Sequence, residues 1–380
     1  MGYQRPKTPC FYVDMMSYLH ATGHGEYFVR HDSDHSNNES DNKIYHGEIS
    51  DLLYCNTSSS LKFNPTSSQT MWRFQDYATS KYFPVIPINF AMMLNHNLEN
   101  TNFVFHFKEN TTHRIKTENF QDKIINWGTG STTTYEHNGF SLRQSNTTYL
   151  TSDTNVILAY FTNHSGNTGQ RYVGSTILGH TYTPQQDPKV TMSREFDGIS
   201  VSKTKGGFSH HNINYLGSPL WSGHNAWELW KYPIDPATAH PNENPDASQQ
   251  PMFTQDNKAN LGRLGRRKWT ISFTHLAEYD LYAALEQTNW NSFDPADLYP
   301  ESTVQFSTKG YENPILEEDN FMSRLWIPTL GGSIPFVFQP DDENNNPDQF
   351  AICTFDRHSI SITPKAPNVY TITFNISEVW

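Results

Sequence analysis

Charge, cysteine and long apolar runs are all scarce in this sequence. Of 380 residues only 17% are Asp, Glu, Lys or Arg, and hydrophobic residues make up 36%. Disordered chains are charged and short of aromatic residues. Here aromatics reach 14%, which argues against disorder and leaves Asn, Ser, Thr and Gln to supply the surface. Such an uncharged polar surface with many aromatics favours β structure with long ordered loops over helical bundles. The three cysteines, Cys10, Cys55 and Cys353, are too few and too far apart for a disulfide framework or a paired zinc knuckle, so folding in a reducing compartment is expected. No run approaches the length of a membrane helix, and no stable membrane insertion is expected. The opening MGYQRPKTPCFYV has no basic region followed by an apolar core, so no secretion signal is expected. Pro6 stands where a myristoylation signal needs Ser or Thr. The net charge of −12 speaks against nucleic-acid binding through a broad basic face, so any such contact must be local or made by stacking on bases. The sequence has no nucleophile elbow, phosphate-binding glycine loop, HExxH helix or dinucleotide turn, and no enzymatic activity is expected.

Alternating strands are what the sequence does contain. In the closing run, Tyr370, Ile372, Phe374, Ile376 and Trp380 lie at even spacing, with Thr371, Thr373, Asn375 and Ser377 between them. That is the period of a strand with one buried and one wet face. Ser359–Ile362 alternate in the same way, and 364–368 read as the turn between the two runs. Further strands are expected over 43–55, 81–88, 102–108 (continuing to 116), 139–150, 155–162, 334–339 and 350–355. Three segments read as helices. Over 8–23, Thr8 can cap, Pro9 suits the first turn and Gly23 can end the helix. There Phe11, Met15, Tyr18 and Leu19 form an apolar stripe. So short a helix needs a partner, from its own domain or another copy, and the stripe is a candidate subunit interface. The others are PINFAMMLNHN, residues 87–97, and HLAEYDLYAALEQ, residues 275–287. Regular alternation thins from about 163 to 338, where Gly, Pro, Asn, His and Trp abound, and long irregular stretches of this kind are usually functional surface. The domain reading is therefore an N-terminal helix with a polar acidic loop over 1–42, acting as an inter-subunit arm, and a single β domain over 43–380 with a long loop insertion at about 163–338.

Three clusters are candidates for chemistry. In HDSDHSNNESDN the spacing of Asp32, Asp34, Ser36 and Asn38 is close to the start of a calcium loop, and Asp32, Asp34, Asn38 and Asp41 are the candidate ligands. An EF-hand is excluded, because Asn37 and Lys43 stand where Gly and Glu are required. A looser structural calcium site competes there with a plain solvated loop. GRLGRRKW places Arg263, Arg266, Arg267 and Lys268 beside Trp269, a set able to meet phosphate and stack on a base, or to serve as a solvated loop or subunit contact. Trp221, Trp227 and Trp230 crowd one stretch and suit either a subunit interface or a sugar platform. Histidines are numerous. His20/His24 and His31/His35 have the spacing of a helical metal pair without a third ligand, and collectively the histidines suit a response to endosomal pH.

Strands from both ends of the chain, expected to pair with one another, suit a Greek-key sandwich or jelly roll. Three stretches carry a more specific likeness: YFPVIPINFAMMLNHN, TNFVFHFKENTTHRIKTENF and SISITPKAPNVYTITFNISEVW. Together they resemble the framework of parvovirus capsid proteins, in particular the densovirus branch. The likeness covers about a third of the chain. It implies an eight-stranded antiparallel jelly roll with very long inter-strand loops and a few short helices. It also implies a virion protein that self-assembles into a small icosahedral shell around single-stranded DNA, with assembly in the host nucleus and attachment to a host receptor, glycan included. The phospholipase segment of longer relatives is not matched: HDSDH lacks the required Tyr, and no glycine-rich loop precedes it. A second reading from another class is a carbohydrate-binding or carbohydrate-hydrolysing β-sandwich using the Trp cluster. A third is a non-viral structural protein.

Overall fold

A computed structural model describes residues 8–29, 44–46, 49–57, 61–63, 71–75, 83, 86–96, 102–108, 123–126, 132–137, 140–150, 156–162, 171–195, 202–204, 207–209, 266–282, 319–345 and 349–379. Its strands are β1 (Cys10–Asp14), β2 (Glu26–Val29), β3 (Ile44–His46), β4 (Leu61–Phe63), β5 (Met71–Gln75), β6 (Pro87–His96) and β7 (Asn102–Lys108). These are followed by β8 (Lys123–Asn126), β9 (Thr132–His137), β10 (Phe140–Leu150), β11 (Val156–Thr162), β12 (Arg171–Tyr182), β13 (Lys189–Glu195), β14 (Ser202–Thr204) and β15 (Gly207–Ser209). The last are β16 (Arg266–Ala277), β17 (Phe336–Gln339), β18 (Ala351–Phe355), β19 (Ser361–Ala366) and β20 (Val369–Glu378). Two short α-helices, α1 (Met15–Ala21) and α2 (Glu278–Leu281), a 3-10 turn (Ile49–Leu52) and a π-helix (Met322–Trp326) complete the described elements.

The protein is all-β, as its composition leads one to expect. One sheet runs β13-β16-β20-β18-β17-β1-β12-β6-β10-β9, with β19 beside β20 and the β3–β4 pair beside β12; a second runs β2-β5-β11-β7-β8. The pairings are antiparallel. One hydrophobic cluster takes Phe11, Val13 and Phe338 from the first sheet and Trp72, Phe74, Phe105 and Ile157 from the second, so the two sheets share a core as in a β-sandwich. Among the described residues the first sheet alone holds thirteen strands, more than the eight of the jelly-roll expectation.

The middle of the large sheet is buried on both faces. In β1, Phe11 and Val13 enter the shared core, while Cys10 and Tyr12 enter a second cluster with Phe90, Met92, Leu94, Phe140, Val337 and Ile352. In β6, Phe90, Met92 and Leu94 face that second cluster, and Ala91 and Met93 face the first. A strand buried twice has no reason to alternate. This corrects the helix expected over 87–97: PINFAMMLNH is a strand throughout. It also corrects the helix over 8–23. The chain runs extended to Asp14, whose carboxylate Oδ1 accepts from the amides of Met16 (3.0 Å) and Ser17 (3.2 Å) and so starts α1 there, not at Thr8. Gly23 ends the turn as expected, at φ +78, with its amide on the carbonyl of His20.

Two further corrections follow from the topology. Residues 8–29 are no separate arm, because β1 lies between β17 and β12 inside the large sheet and β2 pairs with β5. The strand-to-helix junction even requires β12 to lack a side chain beside it: a Cβ on Gly179 would lie 1.8 Å from the carbonyl oxygen of Val13. Nor is 163–338 wholly an insertion between framework strands, since β12, β13 and β16 fall within it and belong to the large sheet. The helix expected over 275–287 begins as strand, with β16 continuing to Ala277 and α2 following for one turn. Likewise 43–55 is not one strand, for the 3-10 turn follows the short β3.

The closing strands behave differently. In β20, Ile372, Phe374 and Ile376 are fully buried while Thr373, Asn375 and Ser377 between them are partly exposed. In β16, Trp269, Ile271 and Phe273 are buried and Thr270 is exposed. These strands bury one face and wet the other, at roughly 1.5–3 kcal/mol for each large side chain buried.

Candidate functional site

The alternation of β20 carries one residue out of character. Position 378 continues the inward series 372, 374, 376, and it is Glu378, 2% exposed. Its partner is Arg267, 6% exposed, on the inward face of β16 with Trp269 and Ile271. Arg267 Nε donates to Glu378 Oε2 at 3.0 Å and Nη2 to Oε1 at 2.8 Å, a two-pronged pair. The backbone amide of Arg267 also donates to Oε2 at 3.0 Å, and Nη2 reaches the carbonyl of Phe350 at 2.9 Å. The guanidinium carbon lies 5.3 Å from the centre of the Trp269 ring. One buried cation therefore ties β16, the segment leading into β18, and β20 together. Burying both charges is costly unless the geometry and the remaining hydrogen bonds are good, and here they are. Cys353, opposite Glu378 across the ladder, has its thiol raised well above the ordinary value by burial and then by the Glu378 charge.

This corrects the nucleic-acid assignment. Arg267 and Trp269 lie inside the core on a strand, so neither can meet phosphate or a base. Arg266 begins the same strand, Lys268 is partly exposed on its other face, and Arg263 lies outside the described residues. The interface assignment is corrected as well. Phe11, Met15 and Leu19 are 0% exposed and Tyr18 is 8% exposed, all within the chain's own core. The expected partner of the stripe is the domain itself. Trp221, Trp227 and Trp230, and the calcium candidates Asp32, Asp34, Asn38 and Asp41, lie outside the described residues. His20 and His24 do not converge on one point: His20 Nδ1 meets the Tyr54 hydroxyl at 2.7 Å, and His24 Nδ1 meets the Thr22 hydroxyl at 2.8 Å. Among the described residues no group of three or more His, Cys, Asp or Glu is placed to hold a metal ion. Among them, too, no helix is long and apolar enough to cross a membrane.

A second polar knot sits at the start of α1. Burial raises the Asp14 carboxyl to about 6, against the hydrogen bonds from Ser17 and Met16, which lower it. Ser17 donates its hydroxyl to Asp14 Oδ2 and accepts from the amide of Tyr54 at 2.7 Å. Tyr54 and the following Cys55 both hold positive φ, 58 and 52, so this bonded turn is strained. The knot ties the N-terminal strand and helix to the turn at 53–57.

Two buried histidines bear on the endosomal-pH expectation. Burial holds both His96 and His180 down to about 3, with Arg143 beside the first and Arg324 beside the second acting in the same direction. His180 donates from Nε2 to the carbonyl of Arg324 at 2.7 Å, and His96 Nε2 meets the Ser141 hydroxyl at 2.9 Å. In the folded protein both stay neutral across the endosomal range. Sequence reasoning missed Glu378 and Asp14. The available signal for the first was a carboxylate at an inward position of an otherwise apolar series; for the second it was Asp directly before an apolar helical stripe.

Comparison with known protein families finds no match, and comparison with curated proteins finds none. Comparison with solved structures gives a chain described as CpGH89CBM32-6 produced by Clostridium perfringens, at 10% identity and TM-score 0.24, over 41% of this chain and 92% of that chain. It also gives a DUF4466 family protein from Parabacteroides merdae, at 10% identity and TM-score 0.15, over 84% of this chain and 98% of that chain. Overlaps of this size carry no weight for fold or function.

Proposed function

We propose that this chain is a structural subunit of a virus particle, one that self-associates so that its β framework forms the particle wall. The observation that supports it best is how the framework is closed. The first described strand, β1, and the last, β20, lie in one sheet, joined through β17 and β18, and the Arg267–Glu378 pair locks β20 inside it. A wall element must keep its shape against its neighbours, and buried bidentate pairs and doubly buried strands resist local opening. The resemblance of the framework segments to densovirus capsid proteins supports the finer form of the reading, an icosahedral coat around single-stranded DNA that attaches to a host receptor. In that form the DNA contacts are made by residues other than Arg267 and Trp269.

The test is the size of the purified full chain by light scattering and negative-stain microscopy, with and without a calcium chelator. Uniform closed particles are expected; if a chelator dissolves them, Asp32→Ala and Asp34→Ala should lose them with calcium present, and particles that survive both substitutions would place the calcium elsewhere. A monodisperse monomer at every concentration overturns the reading. Saturable binding on a glycan array would then establish the carbohydrate-binding alternative.

A further inference from the structure

Pro328 lies two residues beyond the π-helix (Met322–Trp326), and a proline has no N–H to give. In a regular helix residue 328 would donate to the carbonyl of Arg324. Residue 329 does not replace it, because the amide of Thr329 goes to the carbonyl of Leu325 at 3.3 Å. The Arg324 carbonyl is served instead from another part of the chain, by His180 Nε2 on β12 at 2.7 Å. The same shortage recurs one carbonyl earlier. The amide of Ile327 passes over Ser323 and bonds Met322 at 2.9 Å, which is the π step, and the next residue is again Pro328. Neither usual helical donor therefore serves the Ser323 carbonyl.

The seam between this helix and β12 is closed to solvent: His180 is 2% exposed and Ser323 0%. A carbonyl only accepts, so Nε2 holds the imidazole proton and Nδ1 is left as an acceptor. Nδ1 has no hydrogen-bond partner, and neither has the Ser323 hydroxyl. One can accept and the other can donate, yet they are not bonded to each other. A buried polar group left without a partner keeps its full desolvation cost, so both call for a third group. We propose that one ordered water binds in this seam, donating to His180 Nδ1 and accepting from the Ser323 hydroxyl. Its second proton is then available to the Ser323 carbonyl, and roughly two to four polar partners are what a buried water takes. The Ser323 amide does not compete, since it already donates to Asn320 Oδ1 at 2.8 Å. Water fits these groups because it donates and accepts at once and brings no charge to a sealed site. An anion would meet the lone pair of Nδ1. A metal ion would find no set of three His, Cys, Asp or Glu ligands among the described residues. Bound there, the water completes a bridge from the Arg324 carbonyl through the imidazole to Ser323, and so pins the helix to β12 twice.

This inference holds whether or not the chain self-assembles. The test is a crystal structure of the full chain at a resolution that shows ordered waters, beside one of Ser323→Ala, with thermal melts to verify that the variant folds. The wild type should show one water within about 2.7–3.2 Å of both His180 Nδ1 and Ser323 Oγ. Ser323→Ala should lose that water while the Arg324–His180 bond stays. A direct bond between Ser323 and His180, or no water in the wild-type seam, overturns the site. A water that keeps its place in Ser323→Ala overturns the bridge. Side-chain nitrogen spectra of labelled histidine, with His180→Gln to assign the signal, give a second reading in solution. The imidazole proton should sit on Nε2, and a proton on Nδ1 overturns the proposal, because that nitrogen would then donate.

Discussion

Strand β6 buries side chains on both of its faces, whereas β20 buries one and leaves the other to water. The two belong to the same sheet, several strands apart. In β1, and in β6 apart from the partly exposed Asn89, every position is buried, so a polar group there needs a partner within the protein, as Asp14 has. In β20 and β16 only alternate positions are constrained, and on the wet face Thr270 bonds Asn375 and Ser272 bonds Thr373 across the ladder. The first region supplies stiffness and the second supplies a surface. Glu378 is the exception that joins them: a charge on the buried face of a one-sided strand, held by Arg267.

The comparison can be broken most sharply at its centre. Phe90→Ala should cost about 3–5 kcal/mol, because the doubly packed site cannot collapse to fill the cavity. Glu378→Ala should cost a similar 3–5 kcal/mol or so by leaving the buried guanidinium uncompensated. For both, urea midpoints at unchanged slope are the measure, and a loss below 1 kcal/mol at Glu378 would mean the pair is not holding the strand. Gly179→Ala comes next, at about 1–3 kcal/mol or more, since its methyl meets the backbone of β1.

Acid should act on the first region in two opposing ways. His96 and His180 are held neutral to about 3, so the unfolded chain takes up protons below 6.5 that the folded one refuses, and stability falls as pH drops through that window. Each histidine contributes a slope of up to about 1.4 kcal/mol per pH unit. Asp14, raised from 3.8 to about 6, is protonated first in the folded state and adds stability as pH falls from about 6 toward 3.8. Asp14→Asn, which can still cap α1, should therefore steepen the loss between pH 6 and pH 4 in thermal melts. The smallest effect belongs to the wet face: Thr270→Ala should stay within about 0.5 kcal/mol of wild type.

These contrasts also explain what could be read from the chain before its fold was known. The alternation of Ile372, Phe374 and Ile376 predicted β20 because water on one face enforces it. Strands β7 and β11 were legible from their apolar and β-branched runs. Besides the end of β16, the segments misread as helix were β1 and β6, whose second buried face erases the period of two, and β12, buried along most of its length, was passed over for the same reason. The basic cluster misled in another way: sequence shows that Arg267 and Trp269 are adjacent to other cations, but not that they point inward toward Glu378, a partner 111 residues away.

Three sealed thiols follow from the same architecture. Cys10 on β1, Cys55 in the strained turn and Cys353 on β18 are free and buried, and burial pushes the first up to about 12 and the other two well above the ordinary range. Thiolate, not thiol, attacks an alkylating reagent, so each sulfur is silent until the sheet parts around it. Labelling them under native conditions and locating the modified residue by mass would time three separate doors in one frame, and the order in which they open would show where the molecule begins to come apart.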